Sequence, residues 1–129
     1  MEKCRILLVD DHVPIRAALR RLLAHYHDVR IVGEASDGQE AIELMSSCRP
    51  DVILMDIHMP RMNGVEATAL ISQSWKDAII IGLCAIEDPH TTDAILQAGA
   101  LAVVSKHQLN DLYSIIQRAC VKRSSALTT

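Results

Sequence analysis

The chain has 129 residues, half of them apolar, and a formal charge of −3 at neutral pH. That length suits one domain with a single core, and the acidic balance excludes a general nucleic-acid binder, which needs a basic surface. No apolar run approaches the roughly 20 residues that span a bilayer, so no membrane segment is expected, and acids that follow the first apolar run at once are not the pattern of a signal peptide.

With no Phe, and only Trp75, Tyr26 and Tyr113 aromatic, the core must be built from Ile, Leu, Val, Ala and Met. Cys4, Cys48, Cys84 and Cys120 lie far apart, without CxxC or Cys/His ligand spacing. Disulfide frameworks suit small secreted chains with weak cores, so all four are expected as reduced thiols in the cytosol, packed as small hydrophobes.

In chain order, "CRILLVD" (4–10) reads as a short buried strand. Ile15, Ala18, Leu19, Leu22, Leu23 and Tyr26 then recur at helical spacing, and Pro14 suits the first turn, where no backbone N–H is needed. "VRIVGEA" (29–35) is a second strand. Asp37 with Glu40 resembles a capping box, opening a helix whose inner face is Ala41, Ile42, Met45 and Cys48. "DVILM" (51–55) is the third strand, followed by a helix from about Gly64 to Trp75 that should bury Ala67, Leu70, Ile71 and Trp75. "AIIIGLC" (78–84) is the most apolar strand and is expected to be covered on both faces. Asp88 caps the next helix with Pro89 at its first position, and Gly99 closes it. "LAVVS" (101–105) is the fifth strand, and Leu109, Leu112, Tyr113, Ile116 and Cys120 share one face of a last helix. Five strands alternating with five helices predict an α/β fold, a parallel sheet with helices on both sides. The tail "KRSSALTT" (122–129) loses the apolar period and reads as a linker.

Ligands of such sheets bind beyond the C-terminal strand ends. Those ends carry Asp10 and Asp11, Asp56, Cys84, and Ser105 with Lys106. Taken singly, each Asp reads as a helix cap or turn residue and Lys106 as a surface charge. Together they bring three mutually repelling carboxylates and one ammonium to one edge. A hard divalent cation such as Mg²⁺ relieves that repulsion and leaves room for phosphate oxygens.

The segments "ILLVDDH" (6–12), "DVILMDIHMPRMNG" (51–64) and "VVSK" (103–106), in this order and spacing, resemble the receiver domain of two-component response regulators over about residues 3–121. The resemblance implies a flavodoxin-like (βα)5 doubly wound sheet of order 2-1-3-4-5, with residues 1–121 as the phosphoacceptor domain. It implies Asp56 as phosphoacceptor from a histidine kinase, a cytoplasmic setting, and no turnover enzyme beyond assisting its own phosphorylation and dephosphorylation. Asp11, Asp56 and the backbone carbonyl of His58 would bind Mg²⁺, Asp10 acting through water, and Lys106 would pair with the phosphoryl oxygens. A LuxR/FixJ-type DNA-binding domain, outside this chain, would carry the transcriptional output.

Three positions depart from the family. Cys84 stands where a Thr or Ser usually donates to the phosphoryl group, and a thiol is a weak donor. Val103 replaces the aromatic switch residue, and Lys106 is followed by His107 rather than Pro. Weaker or different switching is therefore expected, and Ile86, apolar beside the path of the attacking water, predicts slow dephosphorylation. The alternative is a pseudo-receiver that acts without phosphorylation. A redox-sensing Cys84 would need its pKa lowered by cationic neighbours, which the nearby acids oppose, and no second Cys is evident at the same edge. A haloacid-dehalogenase-type phosphatase would need a second acid where His58 stands. "VDDHVP" lacks the glycines of a nucleotide-binding loop. The apolar width of the last helix, with Leu109, Leu112, Ile115 and Ile116, serves either to cover the core or to form a homodimer.

Overall fold

The structure, a computed structural model, describes residues 3–128, with side chains for residues 3–121. Along the chain run β1 (Cys4–Val9), α1 (Val13–Leu23), β2 (Val29–Ala35), α2 (Gly38–Cys48), β3 (Val52–Asp56), α3 (Gly64–Ser74), β4 (Ile79–Cys84), α4 (Pro89–Ala98), β5 (Ala102–Ser105) and α5 (Leu112–Thr128). All four strand pairings are parallel, and the order is 2-1-3-4-5.

Residue alternation along the strands splits the core in two. Ile6, Leu8, Val52, Leu54, Ile81 and Leu83 face α1 and α5, where Leu19, Leu23, Leu112, Ile116 and Ala119 meet them. Leu7, Val9, Ile53, Met55, Ile80 and Cys84 face α2, α3 and α4, against Ala41, Met45, Ala67, Ile71 and Ile95. With both faces covered, β3 is buried at every position, which is why the central strands read as continuous apolar runs.

Helix ends follow local chemistry. The Asp37 carboxylate accepts the Glu40 N–H at 2.8 Å, Asn63 accepts that of Glu66 at 3.0 Å, and Asp88 accepts that of His90 at 3.0 Å. Gly99 closes α4 at φ 126°, a conformation that favours glycine. The C-terminal carbonyls of α2 are met from another element, since the Arg5 guanidinium donates to Cys48 O at 2.6 Å and to Arg49 O at 3.1 Å. Tyr26, just beyond α1, stacks on Tyr113 of α5 with ring centroids 3.5 Å apart, and the Tyr113 hydroxyl donates to Asp28.

Asp37 also holds the Arg61 guanidinium. The Glu40 N–H, and then Arg61, hold its carboxyl below the usual carboxylate range despite burial. Replacing Asp37 with Ala should cost about 1–2 kcal/mol, read as a lower urea midpoint near neutral pH. A lowered acid stabilises the fold above its ordinary pKa of 3.8 and loses that contribution as the pH falls through the depressed value. The gap between parent and variant should therefore close in acid.

Three expectations need correction. Cys4 and Cys120 are not free thiols: they form a disulfide with Cα atoms 6.0 Å apart. The first residue of β1 and the third turn of α5 meet there, on the rim of the same apolar cluster. Cys48 and Cys84 remain free. Leu70 is 44 % exposed, because α3 buries Gly64, Ala67, Thr68 and Ile71, and Leu70 lies off that stripe. The last helix begins as a separate 3-10 turn, Leu109–Asp111, before α5. Helical backbone continues to Thr128, so the linker expected over 122–129 falls on residues whose side chains are outside the description. No helix among the described residues is long and apolar enough to cross a membrane.

Candidate functional site

The pairing of Val9 with Met55 sets the ends of β1 and β3 side by side, so Asp10 and Asp56 emerge as neighbours. Asp10 N–H donates to Ala35 O at 3.0 Å, and the Asp10 carboxylate accepts the His12 N–H at 2.8 Å. The loop after Asp56 hangs on backbone bonds, Ile57 N–H to Leu83 O and Gly64 N–H to Ile57 O. A Cβ at Gly64 would lie 2.1 Å from the Asp56 carbonyl oxygen, so only glycine lets α3 begin this close to the strand. From the other side, Lys106 N–H donates to Cys84 O at 2.8 Å, carrying the ladder of β4 and β5 one residue further.

That ladder aims Lys106 inward. Its Nζ lies 2.7 Å from Asp10 Oδ2 and 3.1 Å from Asp56 Oδ1, and all three side chains are buried. One ammonium faces two buried carboxylates, with Asp11 beside them. Asp10 Oδ2 meets Lys106 as an ion pair without hydrogen-bond geometry, and Asp11 Oδ1 and Asp56 Oδ2 are buried with no hydrogen-bond donor. Burial first, then the Asp10 charge, push the Asp56 carboxyl up to about 6, with Lys106 and the His58 N–H opposing. Burial alone would lower the Lys106 ammonium, but its contacts with Asp10 and Asp56 outweigh that and hold it above its ordinary value.

Donor atoms of Asp10, Asp11, His12 and Asp56 lie within 4.8 Å of one another, a grouping that can hold a metal ion. The oxygen-rich set, with acceptor atoms left over, fits a hard cation of the Mg²⁺ class. Sequence reasoning passed over His12. Its Nδ1 lies 3.2 Å from Asp11 Oδ1, and its place directly after two acids was the available signal.

The other singled-out residues lie around this centre. Cys84 and Val103 line an adjoining cleft of about 390 Å³ with Glu87, Asp88, Thr92 and Ser105. Burial, then Glu87, push the Cys84 thiol up against the opposing pull of Lys106, so the low-pKa condition for a reactive cysteine is not met. His58 is exposed, its N–H 3.3 Å from Asp56 Oδ1, and it borders a shallow cleft with Asn63, His90 and Thr91. Ile86 is 75 % exposed on the loop after β4. Leu112 and Ile116 are buried, with Leu109 and Ile115 packed beside them, so that face of the last helix covers the core.

Residues 6–117 match the response regulator receiver domain family, and the chain belongs to that family. It is the receiver domain of a two-component response regulator, related to transcriptional regulators. It is 41 % identical over 102 residues to the transcriptional regulatory protein LiaR of Bacillus subtilis, covering 79 % of this chain and 48 % of LiaR. It is 41 % identical over 101 residues to the response regulator UvrY of Escherichia coli, covering 78 % and 46 %. The chain thus spans about half the length of the curated relatives it matches. Among solved structures, the signal receiver domain of NarL from Mycobacterium tuberculosis superposes with a TM-score of 0.84 at 31 % identity, covering 92 % of this chain and 98 % of that one.

Proposed function

We propose that Asp56 accepts a phosphoryl group from a phosphohistidine of a histidine kinase in a cytoplasmic, Mg²⁺-dependent reaction, and that the product switches a transcriptional output carried by a DNA-binding domain outside this chain. The observation that carries this reading is the buried Lys106 ammonium between Asp10 and Asp56, with Asp56 Oδ2 left unpaired.

Asp11, Asp56 and the His58 carbonyl would hold the metal, with Asp10 acting through water. When bound, the ion neutralises charge on the phosphoryl oxygens and on the acids around them. The Asp56 carboxylate supplies the electron pair to phosphorus, the bond to the donor imidazole breaks, and that imidazole leaves with a proton. Lys106 binds the phosphoryl oxygens and holds them in line, which is most of what this transfer asks of a protein. Ile86, exposed on the loop after β4, would hinder the attacking water, and no multiple-turnover reaction is assigned.

Acetyl phosphate with Mg²⁺ tests the site directly. Intact-mass spectrometry should find one added phosphoryl group on the parent chain, and none on Asp56→Asn. Asp11→Asn should label far more slowly at equal Mg²⁺. Equal labelling of parent and Asp56→Asn would remove the proposal.

A pseudo-receiver reading draws on one observation, the cleft beside Cys84 and Val103, where no ring is present to move inward. Beryllofluoride with Mg²⁺ separates effects at the site from effects beyond it. Amide shifts should concentrate at residues 10–12 and 56–58. Large shifts throughout 86–106 would mean that the switch works in full without its usual Thr/Ser and aromatic residues.

A further inference from the structure

At the opposite end of the sheet from the acids, Cys4 and Cys120 join across 116 positions of sequence. We propose that they form a reversible dithiol/disulfide couple that fastens or frees the later turns of α5, a redox input separate from phosphoryl transfer.

Placement carries the argument. Cys4 is the first residue of β1 and is buried, whereas Cys120 is partly exposed on α5. Cys120 is therefore the more accessible of the two residues to a solution reagent. The bond is not what builds the fold: Leu112, Ile116 and Ala119 already bury against Leu19, Leu23 and Leu54, and a reduced Cys4 packs as a small hydrophobe at the same place. Both redox states are thus compatible with one sheet. The next residue on the helix, Val121, is 62 % exposed. Breaking the bond removes the cross-link between α5 and β1 and leaves Leu112 and Ile116, in the first two turns, seated in the core. Asp10, just beyond the other end of β1, makes its contacts at the opposite end of the strand from this bond.

The oxidant is a low-molecular-weight disulfide, R–S–S–R. The Cys120 thiolate attacks one of its sulfurs, the R–S–S–R bond breaks, and one RS⁻ leaves. The Cys4 thiolate then attacks Cys120 Sγ in the mixed disulfide and expels the second RS⁻. The two thiol protons end on two RSH, and the reagent has gained two electrons. Excess thiol reverses both steps.

The full chain in its two redox states tests this. After reduction with dithiothreitol and removal of the reagent, glutathione disulfide should yield a product lacking two hydrogens, with peptides containing Cys4 and Cys120 linked. Cys48 and Cys84 should remain alkylatable on unfolding. Hydrogen exchange at the amides of 117–121 should be slower in the oxidised form by about tenfold or more, with the β1 and β3 amides unchanged. Cys120→Ser should exchange at the fast rate with or without reductant. Failure to form the link, a link that leaves exchange at 117–121 unaltered, or a reduced chain without helical circular dichroism would each overturn the proposal. The last outcome would make the bond a requirement for folding rather than a switch.

Discussion

In EDTA near neutral pH, Asp56→Asn should be more stable than the parent chain, read as a higher urea midpoint. Burial and the Asp10 charge lift the Asp56 carboxyl from 3.8 to about 6, so holding it ionised in the fold costs free energy that the unfolded chain does not bear. Between those two values the folded state binds more protons than the unfolded state. The parent's stability is therefore full below 3.8 and declines as the pH rises through about 6. Asn carries no charge and keeps an oxygen for the His58 N–H. The advantage of the variant should vanish near pH 4 and reach its full value above about 6. Mg²⁺ should close the gap from the other side, because it binds the folded parent and not the unfolded chain. Urea unfolding at both pH values, with and without Mg²⁺, measures each part. A parent more stable than Asp56→Asn in EDTA at neutral pH would mean that attraction to Lys106 outweighs burial and repulsion together.

Lys106→Met should act in the opposite direction. Met fills much the same apolar volume but leaves Asp10 and Asp56 without the ammonium that lies 2.7 and 3.1 Å from them. Removing one partner of a buried ionic cluster costs about 3–5 kcal/mol. The loss should shrink as Asp56 protonates in acid, and Mg²⁺ should recover part of it. Labelling by acetyl phosphate should fall by about a hundredfold, the usual consequence of removing one charge-stabilising donor from a reaction centre. The double variant Asp56→Asn/Lys106→Met should be less destabilised than the sum of the two changes predicts, since one unpaired charge is gone. Strict additivity would show that the two side chains do not interact in solution.

The parts of the fold that sequence reasoning reached are those set by neighbours in the chain. β3 and β4 are apolar runs between turn residues, and their ends fall within a residue of expectation. Asp37, Asp88 and Gly99 sit where a cap is needed, so the ends of α2 and α4 could be read as well. The convergence of Asp10, Asp56 and Lys106 followed from one rule, that parallel strands bring their C-terminal ends to a common edge. What escaped depends on long-range contact. Nothing near Cys4 announces Cys120, and no local pattern announces that Arg5 reaches the α2 carbonyls or that Arg61 reaches Asp37. An apolar residue in a helix usually faces inward, but α3 buries a narrow stripe of Gly64, Ala67, Thr68 and Ile71 and leaves Leu70 outside it. The side chains of the 3-10 turn before α5 obey nearly the helical spacing, so the sequence does not separate it from the helix.

The aromatic residues decide how this chain can be watched by light. Trp75, the sole indole, follows α3 at the end away from Asp56, about 16 Å along the helix axis. It borders an open groove with Met45, Arg49 and Pro50. Its fluorescence therefore reports on that remote rim, and a flat emission trace during a cation titration says nothing about occupancy. Tyr26, just beyond α1, stacks on Tyr113 of α5, so the tyrosine part of the near-ultraviolet dichroism follows the seating of the last helix. With phenylalanine absent from the chain, that tyrosine band is free of overlapping benzyl fine structure.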